Sequence, residues 1–267
     1  MTLTRRTLLG AALGAGVATR AAWAQKGADA YKPEPGQAGK DVIWLPTSQA
    51  LVDRMLDMAQ LGTRDRLVDL GSGDGRLVIT AAKRGIRARG IEFNPDMVAF
   101  SKRAATAEGV GDRAVFEQAD IFKSDFSEAT VVTLFLLPAL NMRLRPILLD
   151  MPAGTRVLSN SFDMQDWEAD ESFNVVEGCT GYCNALKWTV PAKAGGTWQL
   201  GDRRLVLQQK FQVLEGHAGG AAISDARLDG KAIRFTVDGR RHVGEVEGGR
   251  MRGTVDGQAW TATRSAG

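Results

Sequence analysis

A short segment of this chain, residues 66–76, constrains its fold more than any other. The segment opens with an apolar run that contains Asp69, and glycine then occupies every second position, at Gly71, Gly73 and Gly75. Glycine allows a sharp turn and lets a ligand approach the backbone closely. The amides at the start of the helical pattern that follows attract negative charge. The segment predicts a strand, a tight turn and a helix that form a nucleotide-type site, although such glycines can also serve only to change direction.

Two acids further along the chain sharpen this prediction. Glu92 ends the next apolar strand, about twenty residues beyond the turn, where a carboxylate can accept hydrogen bonds from ribose hydroxyls. Asp120 follows a third strand pattern. The order Asp-x-Gly-x-Gly-x-Gly, Glu92 and Asp120 resembles the cofactor half of the class I S-adenosylmethionine (SAM) methyltransferases. Dinucleotide-binding proteins carry G-x-G-x-x-G instead, so the spacing favours SAM over NAD.

The resemblance also implies which residues contact SAM. In the family, an acid at Asp120 bonds to the adenine amine and Ile121 packs on the ring; a surface acid at a strand end is the alternative for Asp120. In one subgroup a Pro-Thr pair before the first helix faces the cofactor. Pro46 and Thr47 stand there, although Thr47 or Ser48 is also a plausible helix cap. The expected cofactor-binding residues are Pro46, Thr47, Asp69, Gly71, Ser72, Gly73, Gly75, Glu92, Phe93, Asp120, Ile121 and Leu136.

Two stretches resemble a subgroup that methylates protein lysine, related to the enzymes acting on the mitochondrial adenine nucleotide translocase and the ATP synthase c subunit. The first is the Leu-Pro-x-x-Asn-x-Arg-x-Arg-Pro sequence of residues 137–146. Most DNA- and small-amine-modifying relatives carry Asn/Asp-Pro-Pro-Tyr/Phe at this point. The second is the Ser-x-x-Phe-Asp-Met-x-x-Trp sequence of residues 159–167. The resemblance implies a lysine acceptor and argues against amide-base chemistry, which needs the polar motif.

Four residues are candidates for the acceptor pocket. Trp44, Phe162 and Trp167 could wall it and hold a cation against their ring faces, and Asp163 could receive or orient the amine. Methyl transfer from a sulfonium is an in-line displacement, so alignment of a neutral nucleophile and exclusion of water suffice without an acid–base pair. The alternative for the three rings is an ordinary place in the hydrophobic core.

The strand and helix patterns alternate as in an α/β fold with a doubly wound, mostly parallel seven-stranded sheet. Residues 130–137 are almost continuously apolar, which predicts a central strand whose end lies where open sheets bind ligands. After Pro191, short alternating strands separated by Asp-Gly turns predict a hairpin meander. We expect a methyltransferase domain over residues 41–191 and a small C-terminal antiparallel, barrel-like β domain over residues 195–267, with a binding or a purely structural role.

The first 24 residues have the pattern of an export signal. Arg5 and Arg6 precede an apolar run that is too short to span a bilayer, and residues 22–24 match an A-x-A cleavage site. The paired arginines resemble a twin-arginine signal; a general secretory signal and an uncleaved basic amphipathic start are the alternatives. We expect residues 1–24 to be a signal, residues 25–40 to be a flexible linker and the protein to be periplasmic, without a stable membrane span.

Charge and cysteine content narrow the possible partners. The three arginines of the predicted signal account for the formal net charge of +3, and the rest of the chain holds 31 basic and 31 acidic residues. Such a neutral chain has no global field to attract nucleic acid, so we expect none as a partner. Cys179 and Cys183 flank a predicted hairpin turn and could pair in an oxidising compartment. With the distant His217 and His242 they make no zinc ligand set, so we expect no metal.

The sequence therefore predicts a SAM-dependent methyltransferase that acts on an amine, with protein lysine as the leading acceptor. One alternative is a small-molecule methyltransferase, which would need polar acceptor contacts that the sequence does not assign. Another is an exported, non-catalytic binding protein that uses the fold as a scaffold. Export favours that second alternative, because SAM is made in the cytoplasm, whereas the intact glycine turn with Glu92 and Asp120 argues against it.

Overall fold

The computed structural model describes residues 31–265. The predicted signal and residues 25–30 of the predicted linker lie outside the described residues. Four helices pack on the first of two sheets among the described residues. They are α1 (Gln49–Met58), α2 (Arg76–Lys83), α3 (Pro95–Ala107) and α4 (Pro138–Leu149).

The first sheet has seven strands in the order β3-β2-β1-β4-β5-β7-β6. The strands are β1 (Arg66–Leu70), β2 (Arg87–Glu92), β3 (Ala114–Gln118), β4 (Val131–Leu134), β5 (Arg156–Asn160), β6 (Glu171–Asn174) and β7 (Asn184–Thr189). The first five are mutually parallel, and β7 pairs antiparallel with both β5 and β6. This confirms the predicted doubly wound, mostly parallel sheet. The strand order reverses between β1 and β4, which places a ligand crevice at the carboxyl ends of these two strands.

The central strand β4 is shorter than the apolar run that predicts it. All four of its residues are buried, as expected for a strand covered on both faces. It ends at Leu134 because Leu137 is already the N-cap of α4, and Pro138 occupies the first helical turn, where its missing N–H group costs nothing. The apolar residues 135–137 are therefore a loop at the crevice.

Local capping fixes the starts of two other helices. The Asn94 side chain accepts hydrogen bonds from the amides of Asp96 and Met97, and Pro95 begins α3. At α1 the Ser48 hydroxyl, not that of Thr47, is the N-cap and accepts a bond from the Leu51 amide. The Thr47 side chain is thus available for another contact.

The second sheet contains nine antiparallel strands from residue 196 onward. They are β8 (Gly196–Leu200), β9 (Arg203–Lys210), β10 (Val213–Ala218), β11 (Ala221–Ala222), β12 (Ser224–Asp229), β13 (Ala232–Val237), β14 (Arg240–Glu247), β15 (Arg250–Val255) and β16 (Gln258–Arg264). Strand β16 returns to pair with β8, and β10 pairs with both β9 and β12, so the sheet closes on itself. This confirms the predicted barrel-like C-terminal β domain.

Side chains fill the interior of the second sheet. Trp198 and Phe235 are fully buried, and the His242 ring stacks on Phe235 with 4.7 Å between centroids. Burial lowers the pKa of His242, since apolar surroundings disfavour the imidazolium. A packed interior of this kind gives the β domain a hydrophobic core of its own.

Part of the predicted linker is ordered in the structure. The Gly36 amide donates to the Trp44 carbonyl, and the Trp44 amide donates to the Gln37 carbonyl, so residues 36–44 fold back on themselves. The flexible-linker prediction is therefore wrong for residues 36–40, because backbone pairing and a side-chain contact of Lys40 hold them in place.

The described part of the chain holds neither a candidate membrane helix nor a candidate metal cluster. None of the helices in residues 31–265 is long and apolar enough to cross a membrane. Within the same residues, His, Cys, Asp and Glu side chains form no group of three or more that could hold a metal ion.

Candidate cofactor and acceptor site

The glycine turn between β1 and α2 forms the floor of a deep cleft. Gly71, Gly73 and Gly75 all have positive φ angles of 80°, 53° and 80°, a backbone conformation that favours glycine. The amides of Gly71 and Ser72 donate to the Ile91 carbonyl on the neighbouring strand, at 2.9 and 3.1 Å. The turn is thus fixed to β2, and it presents backbone rather than side chains to a ligand.

Glu92 lies beside this turn at the end of β2, as the sequence predicts. One carboxylate oxygen accepts a hydrogen bond from the Gly73 amide at 3.0 Å, and the other accepts from the Asn94 amide at 2.9 Å. Glu92 also lines the cleft. Each oxygen keeps a second lone pair, so the carboxylate is held in position and can still accept a hydrogen bond from a ligand hydroxyl.

Asp69 is buried at the end of β1, where the Thr133 hydroxyl donates to it at 2.6 Å. Burial raises the pKa of Asp69 to about 7, because low-dielectric surroundings disfavour the carboxylate. The Thr133 bond opposes this rise, and the charges of Asp74 and Glu92 add to it. The Asp74 and Glu92 carboxylates close to this turn make a negative site that suits the cationic part of a ligand.

Residues 36–47, here called the strap, cover the cleft from the other side. The Lys40 ammonium contacts the Asp120 carboxylate at 2.8 Å and lies 4.8 Å from the Phe93 ring centroid. The Phe122 amide donates to the other oxygen of Asp120 at 3.0 Å. The bond from Lys40 holds the pKa of Asp120 below its usual range, and the bond from Phe122 acts in the same direction. The two residues of the predicted adenine site, Asp120 and Ile121, line the cleft under this strap.

Pro46 and Thr47 end the strap and also line the cleft. The Arg76 side chain donates to the Thr47 carbonyl at 2.7 Å and pairs with Asp74 at 2.5 Å. The Asn160 amide donates to the Thr47 hydroxyl at 3.2 Å. The strap is therefore fastened to the glycine turn through Arg76 and to β5 through Asn160.

The far end of the cleft is apolar. Phe135 and Leu136 follow β4, and Phe162 follows β5, and all three line the cleft. The Phe135 and Phe162 rings stack with 6.1 Å between centroids. Among the described lining residues from 134 onward there is no charged side chain. This end can bind an aliphatic chain, but it offers few hydrogen-bonding groups that could recognise a polar ring.

Phe162 is held by an unusually dense set of backbone contacts. The Ser159 hydroxyl donates to the Phe162 carbonyl at 2.6 Å. The buried Asn141 amide donates to the carbonyls of both Phe162 and Asp163 at 3.1 Å. The sequence motif contains Asn141 and Ser159 but does not reveal that they act on one turn, since they lie on α4 and β5.

The structure brings most of the predicted site residues together. Trp44, Phe162 and the predicted cofactor residues other than Gly73 and Gly75 all line the cleft. Trp44 lies over the glycine turn, because a Cβ atom on Gly73 would overlap its indole. Gly75 supports the turn from below, where a Cβ atom would come within 2.7 Å of the Phe116 ring.

Two predicted acceptor residues do not reach the cleft. Trp167 is fully buried in the core, where it stacks on Phe211 with 6.0 Å between centroids and packs against Trp188 at the same distance. The Asp163 side chain is exposed and accepts a hydrogen bond from the Gln165 amide at 3.1 Å. The structure corrects both assignments: Trp167 is a core residue, and Asp163 caps a turn.

The described residues fit SAM. The glycine turn leaves open backbone beside Glu92, which suits a ribose, and Asp120 with Ile121 suits an adenine. The hydroxyl of Ser72, which lines the cleft, is buried with no hydrogen-bond partner among the described residues. Asp74 and Glu92 add the negative charge that a sulfonium and an ammonium group favour.

Comparisons with known proteins agree with this geometry. The family model described as the ANTKMT methyltransferase domain matches residues 69–171. A protein-lysine N-methyltransferase of Saccharolobus islandicus is 39% identical over 140 residues, which are 51% of this chain and 87% of the relative. The ATP synthase c-subunit lysine N-methyltransferase of Rattus norvegicus is 36% identical over 48% of this chain. The aligned region spans only 60% of the rat protein.

A solved structure shows the same fold. It is an RNA methyltransferase from Salinibacter ruber in complex with S-adenosylhomocysteine (SAH), 44% identical, with a TM-score of 0.52. The likeness covers 56% of this chain and 95% of the other. The residues matched by the family model contain the glycine turn, Glu92 and Asp120, together with the Phe162 turn. This chain therefore belongs to the family of SAM-dependent methyltransferases defined by the ANTKMT methyltransferase domain.

Proposed function

We propose that this enzyme methylates the side-chain amine of protein lysine. The observation that carries the proposal is the apolar part of the cleft wall that follows β4 and β5, where the lining residues are Phe135, Leu136 and Phe162. Such a slot suits a long aliphatic stem that ends in an amine, because the stem gains from burial and the head can lie on a ring face.

The chemistry that this slot must support is simple. Bound SAM supplies a methyl group on a positively charged sulfur; the amine nitrogen bonds to that carbon as the carbon–sulfur bond breaks, and the electron pair stays on sulfur. The attacking amine must be neutral, although a free lysine has a pKa of about 10.4. Apolar walls lower that pKa because they disfavour the ammonium. The ammonium of the entering lysine therefore gives its proton to solvent, and the apolar walls of the slot favour the neutral amine and exclude water from the methyl group.

The names of the relatives support a lysine acceptor, although one of them is named for a different substrate. Two of those compared are named as lysine N-methyltransferases, whereas the Salinibacter ruber protein is named as an RNA methyltransferase. Reading a nucleobase requires hydrogen-bonding groups directed at its edges. The slot offers few such hydrogen-bonding groups, so its chemistry favours lysine over a nucleobase as the acceptor. A small polar metabolite is disfavoured for the same reason.

A labelling experiment tests the proposed acceptor. The purified protein is incubated with methyl-labelled SAM and separate cell fractions of envelope protein, RNA and small molecules. We expect the label in envelope protein, recovered as methyl-lysine after acid hydrolysis. Label that is confined to RNA or to small molecules, with protein lysine unlabelled, would eliminate the proposal.

A neighbouring pair of variants links the activity to the slot. Phe162→Leu removes the ring that stacks on Phe135. Asp163→Ala changes the next residue, whose side chain is exposed and outside the cleft. We expect Phe162→Leu to reduce transfer about tenfold while SAH binding is kept, and Asp163→Ala to leave both within about twofold, because only the first variant alters the binding surface.

We also propose that the enzyme is exported through a twin-arginine signal. The support is the Arg5-Arg6 pair with the apolar run and the A-x-A site that follow it in the sequence. Replacing both arginines by lysine should leave the protein in the cytoplasm, and Arg20→Lys should not, since Arg20 lies outside the pair. Cell fractionation with an antibody to the β domain measures this. Continued export of the double variant would argue for a general secretory signal.

A further inference from the structure

The loop between β6 and β7 places a third aromatic ring at the acceptor end of the cleft. Cys179 and Cys183 form a disulfide in this loop, and Tyr182 stands next to Cys183 inside the closed segment. The Tyr182 ring lies 5.3 Å from the Phe135 centroid and 5.6 Å from the Phe162 centroid. Tyr182 also lines the cleft and is 49% exposed. The three rings therefore pack against one another at one wall of the cleft.

The backbone of Tyr182 is held in an uncommon conformation. Its φ angle is 55°, in the left-handed region that residues with a side chain rarely adopt. Such conformations persist where the surroundings fix them, and they concentrate at functional sites. The disulfide is the nearest constraint, because one of its two cysteines is the next residue in the chain. The loop geometry therefore directs this particular ring towards the cleft.

The loop is fastened at both ends to elements that carry the site. The Val175 amide donates to the Cys183 carbonyl at 2.8 Å, which closes the base of the loop. The Ser161 amide donates to the Asn184 carbonyl at 2.8 Å, and this bond joins the end of the loop to the turn of Phe162. Backbone hydrogen bonds as well as ring contacts therefore fix the position of Tyr182 relative to Phe162.

We propose that Tyr182 is a specificity-determining residue for the amine acceptor and that the Cys179–Cys183 disulfide is what positions it. The inference rests on the proposed lysine acceptor. Phe135 and Phe162 line the slot, and Tyr182 packs against both and adds a third ring to its wall, half-exposed to solvent. Aromatic faces attract a cationic head group, so the third ring raises affinity for an alkylammonium.

Binding of a small cation to the SAH complex tests the role of the ring. Butyltrimethylammonium is the probe, since it resembles the fully methylated end of a lysine side chain, and nuclear magnetic resonance titration measures its affinity. Tyr182→Ala should weaken the probe about threefold or more, whereas Tyr182→Phe should stay within about twofold because the ring face is kept. SAH affinity should be equal in all three proteins, which also shows that the variants are folded.

The role of the disulfide has its own variant. The double change Cys179→Ser and Cys183→Ser keeps Tyr182 but releases the closed segment, so its probe affinity should fall between those of wild type and Tyr182→Ala. Treatment of the wild-type protein with a reductant should give the same value. A double variant with wild-type probe affinity would overturn the positioning role of the disulfide.

Measuring the transfer of labelled methyl to envelope-protein lysine distinguishes a failure of this inference from a failure of the proposed lysine acceptor. If wild type and Tyr182→Ala label lysine equally and bind the probe equally, the inference fails and the proposed acceptor stands. If wild type labels no lysine, the proposed acceptor fails, and the inference fails with it whatever the probe affinities. A raised KM for the lysine acceptor in Tyr182→Ala, with SAH affinity unchanged, supports both.

Discussion

The indole of Trp44 packs directly on the Cα atom of Gly73, so that a Cβ atom at residue 73 would overlap Nε1 and lie 2.8 Å from Cδ1. Trp44 belongs to the strap, and Gly73 is the middle glycine of the turn. The absence of a side chain at residue 73 is therefore what lets the strap close over the cofactor cleft. Neither residue type alone predicts this contact.

Gly73→Ala should accordingly weaken SAH binding. Overpacking costs about 1–3 kcal/mol, which corresponds to roughly ten- to hundredfold in Kd if the strap is displaced from its bound position. Calorimetric titration with SAH measures the loss. Gly85→Ala is the matched control, because Gly85 also has a positive φ of 86° but would place its Cβ in open space. If Gly73→Ala binds SAH as tightly as Gly85→Ala does, the contact with Trp44 does not control how the strap covers the cleft.

Glu92→Gln should weaken SAH binding by about tenfold to a hundredfold. The variant keeps the shape of the side chain, but one of its two terminal atoms can no longer accept hydrogen bonds. A charge-assisted hydrogen bond to a ligand contributes about 1.5–3 kcal/mol, which sets the expected range. Asp96→Asn removes a nearby exposed acid of α3 and should have no effect on SAH affinity. An unchanged Kd for Glu92→Gln would remove Glu92 from the ribose site.

Asp69 should make the stability of the free protein depend on pH. Its pKa is raised from 3.8 to about 7 by burial, so between these values the folded state holds a proton that the unfolded state has released. The stabilising contribution is fully present below pH 3.8, falls as pH rises, and is lost above about pH 7. Relative to Asp69→Asn, wild type should lose about 1.4 kcal/mol of unfolding free energy per pH unit between pH 5 and 6.

Urea unfolding of both proteins at several pH values measures this difference. The Asn side chain can still accept the hydrogen bond from Thr133, so the variant isolates the titration from the packing. Parallel curves for the two proteins between pH 5 and 6 would mean that Asp69 does not titrate there.

Local patterns predict much of this fold. The apolar strand ends at Asp69 and Glu92 follow from short-range periodicity and turn residues, and so does the start of α3 at Asn94-Pro95. The disulfide was predictable in the same way, because its two cysteines stand in one short hairpin. These features depend on neighbours within a few residues.

Features that depend on distant contacts were not predictable. Lys40 reaches Asp120 across 80 positions in the chain, and its surroundings in the sequence resemble a linker. Trp167 and Phe162 stand five residues apart with similar apolar character, yet only Phe162 lines the cleft. An aromatic residue gains from burial in a core and in a slot alike, so periodicity does not separate the two. Tyr182 reaches the slot through a loop whose path only the structure shows.

The contact between Lys40 and Asp120 predicts how selectively the protein binds the adenine base of the cofactor. The Asp120 carboxylate already accepts bonds from Lys40 and from the Phe122 amide, and both keep it ionised. An ionised carboxylate only accepts hydrogen bonds, so it should favour the adenine amine over the carbonyl oxygen of hypoxanthine. Wild type should bind SAH about tenfold or more tightly than S-inosylhomocysteine, and Asp120→Asn, whose amide can donate, should reduce that ratio towards one. Competition binding of the two nucleosides measures the ratio, with Asp112→Asn as a control, since Asp112 is exposed and is not among the residues that line the cleft. A ratio that is the same in wild type and Asp120→Asn would place the adenine elsewhere in the cleft.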